Sequence, residues 1–173
     1  TGCLTYITAD SGKIKEFRLI PQDKLSYIDF ERYHIVHDSR GIIWISTYGN
    51  GLFAYDTAED KLEHFLANIN DKSHIASDFL LYVMEDRSGG IWVSSEYSGL
   101  SHISVLNEGT SRIYPESPDL FDRSNTIRML TKTSDGDIWF GTRRGGLYTI
   151  DSDFHSKITN QYFHSNIYAI TED

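Results

Sequence analysis

The chain has 173 residues, 39% apolar and 24% charged, enough for one ordinary domain with a real core. A formal net charge of −9 with no Lys/Arg run argues against a nucleic-acid partner and against docking on an anionic membrane. No apolar run approaches the ~18 residues of a membrane helix, and the single cysteine, Cys3, forbids an internal disulfide and a thiolate metal cluster.

In chain order the predicted elements are all short strands. Residues 1–20 hold two, around the turn "TADSGK". Residues 32–66 hold four, "RYHIVHD", "GIIWIST", "GLFAYDT" and "KLEHFLA". Residues 80–115 repeat the series as "LLYVMED", "GGIWVSS", "GLSHISV" and "SRIYPE". Residues 126–164 repeat it again as "IRMLTKT", "GDIWFGT", "GLYTIDS" and "KITNQYF", and residues 167–173 hold one first strand, "IYAITED". Helical periodicity is absent, and Gly-rich turns separate the strands.

All three Trp residues fall in one motif. Gly41, Trp44, Gly51 and Leu52 form its first copy; Gly89, Trp92, Gly99 and Leu100 its second; Gly136, Trp139, Gly146 and Leu147 its third. Each Trp lies three residues after one Gly and seven before the next, and the Trp-to-Trp steps are 48 and 47 residues. Four strands per ~45 residues is the mark of a propeller blade. The fold class is therefore all-β, a β-propeller fragment of four-stranded antiparallel blades: half a blade, three blades and one strand. Propellers have about four to eight blades, so further blades of the same protein are the expected neighbours. Blades cover both faces of each sheet, which explains the nearly continuous apolar strands. The Trp then reads as an inter-blade plug rather than a sugar platform. In the first half-blade Tyr6 takes the place of Tyr55, Phe17 that of Phe65, and Cys3 that of Leu52, which predicts a buried Cys3.

The pattern D-x-x-G-x-[IL]-W-[IVF]-[GS]-[ST]-x-x-x-G-L resembles the two-component regulator propeller repeat. Asp38, Gly41, Trp44, Thr47, Gly51 and Leu52 carry it first; Asp86, Gly89, Trp92, Ser95, Gly99 and Leu100 second. In the third copy Thr133 replaces the Asp, while Gly136, Trp139, Gly141, Thr142, Gly146 and Leu147 match. The resemblance implies the periplasmic sensor region of a hybrid two-component histidine kinase, an inner-membrane protein. It further implies a β-sandwich domain beyond the propeller, a homodimeric parent, and an oligosaccharide ligand whose binding is relayed to the kinase. The kinase itself is not in this sequence.

No catalytic motif is present: no G-x-S-x-G, P-loop or HExxH. His34 and His37 stand at an odd spacing on one strand and face opposite ways, so no metal site is expected. No cofactor is expected either. What varies between copies is the three-residue tip after the Trp strand: Tyr48-Gly49-Asn50, Glu96-Tyr97-Ser98 and Arg143-Arg144-Gly145. Constant frame and changing tip is how a scaffold presents binding groups. The candidate ligand-binding residues are Tyr48, Asn50, Glu96, Tyr97, Arg143 and Arg144, as ring-stacking and hydroxyl- or carboxylate-bonding groups. Two other functions stay open: a propeller lyase or glycosidase using rim His, Glu or Arg, and a non-catalytic interaction scaffold.

Overall fold

A computed structural model describes residues 2–25, 32–104, 109–115, 119, 122–151, 156–160 and 166–172. Parts of the loops joining the blades, and residues 161–165, lie outside them.

A two-stranded sheet, β1 (Cys3–Ile7) and β2 (Ile14–Arg18), is followed by three four-stranded antiparallel sheets. Blade A contains β3 (Tyr33–His37), β4 (Ile42–Thr47), β5 (Leu52–Asp56) and β6 (Lys61–Phe65) in that order. Blade B runs β7 (Leu80–Glu85), β8 (Ile91–Ser95), β9 (Leu100–Ser104) and β10 (Gly109–Ile113). Blade C runs β11 (Ile127–Lys132), β12 (Ile138–Thr142), β13 (Leu147–Ile150) and β14 (Ser156–Asn160). Helix is confined, among the described residues, to Gln22–Leu25 and the turn Arg123–Asn125, and no described helix is long and apolar enough to cross a membrane. The fold is a β-propeller arc.

First strands meet first strands. β7 packs on β3 and β4, and β11 on β7 and β8, so the first strand of each blade is innermost. An antiparallel meander then puts the tips between second and third strands on the same rim as the loops that enter each blade. The turns between first and second strands lie on the opposite rim.

The cores are the inter-blade seams. Trp44, Leu52 and Ala54 of blade A close on Leu80, Val83, Ile91 and Val93 of blade B. Trp92, Met84 and Leu100 of blade B close on Ile127, Leu130, Ile138 and Phe140 of blade C. Both faces are buried, so β8 is buried at every residue.

Trp44 and Trp92 are each held by a carboxylate six positions earlier. Asp38 Oδ2 accepts the indole N–H of Trp44 at 2.9 Å, and Asp38 also accepts from the amides of Arg40 and Ile42. Asp86 does the same for Trp92 at 2.7 Å and for the amides of Ser88 and Gly90. One side chain thus shapes the hairpin turn and fixes the indole. Burial pushes both carboxyls up, but hydrogen bonds outweigh it and hold them below the ordinary carboxylate range: those from Trp44, Arg40 and Ile42 for Asp38, and those from His102, Ser88, Trp92 and Gly90 for Asp86.

The close approaches explain the small residues. A Cβ on Gly51 would sit 2.3 Å from the Phe65 carbonyl oxygen, and φ there is +71°. A Cβ on Gly141 would sit 2.5 Å from Ile167, the residue that packs over blade C. On the turn rim, blades are laced together: Ser39 donates to Glu85 through its amide and hydroxyl, and Arg40 Nη1 donates to the Gly89 carbonyl at 2.8 Å. Ser134 repeats the first contact with Glu172.

One expectation is corrected. Cys3 is exposed, not buried. Leu4 pairs with Phe17 as Leu52 pairs with Phe65, and Leu4 and Phe17 join Leu19, Ile45 and Phe53 in the seam with blade A. The half-blade is therefore read one residue out at Cys3 and Tyr6, while Phe17 does stand for Phe65. A slip of one residue exchanges the two faces of a strand, so Cys3, Thr5 and Ile7 point to the uncovered side.

Two outcomes follow. Asp86→Ala strands the buried indole N–H of Trp92 and lowers stability by about 1–3 kcal/mol, read from the urea midpoint. Because the folded carboxyls of Asp38 and Asp86 are depressed, their contribution is complete at neutral pH. It is lost as pH falls below the unfolded value of ~3.9 toward the folded one. Acid unfolding curves should therefore flatten in Asp38→Ala; an unchanged curve would contradict the clamp.

Candidate functional site

The rim opposite the laced turns carries the variable tips. Each tip is closed by the hydroxyl that ends the Trp strand. Thr47 Oγ1 donates to the Gly51 carbonyl and accepts the Asn50 amide; Ser95 Oγ does so with Gly99 and Ser98. Thr142 Oγ1 accepts the Gly146 amide at 3.0 Å. The Thr/Ser of the repeat is thus a tip lock, which leaves the tip side chains free to differ.

The six candidates separate into two groups. Asn50 is buried, and its side-chain amide donates to the Leu19 carbonyl at 2.6 Å. It ties blade A to the half-blade before it and does not present itself as a ligand group. Arg144 is exposed on the tip, apart from the cluster formed by the others.

Tyr48, Glu96, Tyr97 and Arg143 gather around the inner end of blades B and C. Glu96 is buried, and its carboxylate is approached by Arg143 Nη1 at 3.7 Å and Arg128 Nη2 at 3.8 Å. The Glu96 backbone is fixed on both sides: its amide donates to the Phe79 carbonyl, and its own carbonyl accepts the Thr126 hydroxyl. Tyr48 stands edge-on to Phe79 with ring centroids 5.3 Å apart, and Arg32 lies over its ring at 5.8 Å. Arg123 lies over Tyr97 at 5.9 Å and Arg128 over Tyr168 at 5.7 Å. Burial raises the Tyr48 phenol, with the Glu96 carboxylate adding to the effect.

Sequence reasoning missed Arg32, Arg123, Arg128 and Tyr168. Arg128 carried one signal, a charge inside the apolar run of an innermost strand. It stands in the β11 bulge between Ile127 and Met129, and bulges re-aim side chains. The described inter-blade cavity of about 400 Å³ lies elsewhere, between blades A and B, lined by Trp44, Phe65 and Ile75 among others. None of the six candidates borders it.

With this geometry in place the comparisons are informative. Residues 123–144, which run from the Arg123 turn through β11 and β12 to the Arg143-Arg144 tip, match the two-component regulator propeller family. Over those residues the chain matches one two-component regulator propeller repeat. Blades A and B show the same frame, with the same Trp, Gly-Leu and hydroxyl positions. No curated protein matches the sequence. Among solved structures, the chain resembles the extracellular domain of a hybrid two-component system from B. thetaiotaomicron, with TM-score 0.61 and 19% identity, over 92% of this chain and 20% of that one. It also resembles virginiamycin B lyase from Staphylococcus aureus, with TM-score 0.57 and 15% identity, over 92% and 46%. A third likeness is to PorZ, a surface component of the type-IX secretion system of Porphyromonas gingivalis, with TM-score 0.61 and 16% identity, over 94% and 25%. At these identities the likeness is one of fold, and this chain spans a fifth of the two-component domain.

Asn50→Ala should cost about 1–2 kcal/mol of stability through the lost bond to Leu19, while leaving ligand affinity unchanged. A mutant of full stability with weakened binding would return Asn50 to the site.

Proposed function

We propose that these blades are the ligand-sensing part of an extracytoplasmic sensor region. The parent would be an inner-membrane hybrid two-component histidine kinase in which an oligosaccharide binds on the tip rim. The observation that carries this reading is the contrast between frame and tips. The Gly-Leu step and the hydroxyl lock recur in all three blades and the Asp–Trp clamp in two, while the tips change from Tyr-Gly-Asn to Glu-Tyr-Ser to Arg-Arg-Gly. Aromatic faces beside Glu and Arg suit sugar rings and their polar substituents.

Such a module makes and breaks no covalent bond. It works if ligand binds one arrangement of neighbouring domains better than another, since only differential affinity shifts a population. The remaining blades, a β-sandwich domain and a second copy of the parent are the partners through which binding would be relayed.

The lyase-like fold is the one ground for a catalytic reading. Catalysis would need an acid and a base converging on one rim position. Among the described residues the carboxylate of Glu96 is flanked by two arginines, and a guanidinium stays protonated at neutral pH. That pairing orients and binds; it does not shuttle protons.

Titration calorimetry against a panel of plant and host oligosaccharides tests the proposal. A binder is expected whose affinity falls about ten-fold, or ~1.4 kcal/mol, in Tyr97→Ala. Chain-shortened or unsaturated products in the recovered ligand would establish the enzyme instead, and silence across the panel would leave the interaction scaffold.

A further inference from the structure

The geometry points to an anionic group on the sugar, a carboxylate or sulfate, as what this rim recognises, with Arg128 as its anchor. This rests on the sensing role proposed above and adds the chemical class of the ligand.

The side chain of Arg128 is 15% exposed. Its Nε is buried and makes no hydrogen bond. Its nearest charged partner is Glu96 at 3.8 Å, and the same carboxylate oxygen is shared with Arg143 at 3.7 Å. Both separations exceed the ~2.7–2.9 Å of a charge-assisted hydrogen bond. Two guanidinium groups therefore crowd one carboxylate that bonds neither fully. A buried guanidinium left short of acceptors is costly. That cost is relieved by a planar anion, which takes two parallel N–H donors of one arginine.

The surroundings favour the same ligand. Arg32 and Arg123 stand over Tyr48 and Tyr97. Tyr48 lies under the Arg32 guanidinium, and burial, with the Glu96 carboxylate adding to it, raises its phenol. Two arginines, Arg128 and Arg143, approach the one Glu96 carboxylate, in a chain whose net charge is −9. A local excess of positive charge on an acidic protein focuses anions. Tyr168, 65% exposed, leaves aromatic surface for the ring that carries the anion. Neutral hydroxyls would be weaker partners, because they meet the fork one donor at a time.

The test uses the full chain and three oligosaccharide probes: an oligogalacturonate carrying carboxylates, a sulfated galactan oligomer carrying sulfates, and the neutral galactan oligomer. At least one acidic probe should bind ten-fold or more tighter than the neutral one, and which acid wins separates carboxylate from sulfate. Arg128→Met should erase that preference, and Lys13→Ala, in the exposed turn between β1 and β2, should keep it. In wild-type protein the Arg128 Nε–Hε NMR signal should shift with the acidic probe and stay still with the neutral one, a readout that survives if Arg128→Met folds poorly. Equal affinity for acidic and neutral probes, or a stationary Arg128 signal under a bound acidic probe, overturns the anion site and leaves the sensor reading intact. No binding of any probe counts against both.

Discussion

A carboxylate at the end of the first strand accepts the indole N–H of the Trp in the second. Asp38 with Trp44 and Asp86 with Trp92 make this bond, and each aspartate also organises the intervening turn. The indole is the largest side chain in its seam, so its orientation sets how the next blade can approach. With the indole fixed, Leu52 and Ala54, or Leu100 in the next blade, meet their neighbours at one depth. Gly51 and Gly99 then become obligatory, because the carbonyl oxygens of Phe65 and Ile113 occupy the space a Cβ would need. A repeat protein is stable through its interfaces, and here the interface is set by one polar bond inside an apolar seam.

The clamp also divides the blade into two ends with different work. On the clamp rim, residues reach across to the next blade: Ser39 to Glu85, Arg40 to Gly89, Ser134 to Glu172. On the tip rim the hydroxyl lock satisfies the turn locally, and side chains are released for other uses. The β11 bulge adds to this by re-aiming Arg128 at the Glu96 carboxylate. The clamp sits at one end of the blade, and the side chains that vary between blades sit at the other.

The blades were legible in the sequence because burial on both faces leaves a strong, regular imprint: continuous apolar strands, fixed Gly positions and one Trp per repeat. The half-blade was legible as two strands but not in register. Its outer face is uncovered, so the alternation in "CLTYI" suits either orientation, and the Gly preceding Cys3 invited alignment with Gly51. The tip residues were found as a set, yet Asn50 reads the same in sequence whether it faces solvent or folds back onto Leu19. Arg128 was missed because a bulge does not show in a period of two. The lacing contacts were missed because each joins single residues 38 to 49 positions apart.

Blade C is the internal control for the clamp. Thr133 stands where Asp38 and Asp86 stand, and its hydroxyl donates to the Asp137 carbonyl. Trp139 is only half-buried there. The most direct measurement is therefore hydrogen exchange of the three indole N–H protons, followed by NMR in one sample. The indole protons of Trp44 and Trp92 should exchange only through large-scale unfolding, while that of Trp139 exchanges faster by orders of magnitude. Three equal rates would contradict the central role given to the aspartate.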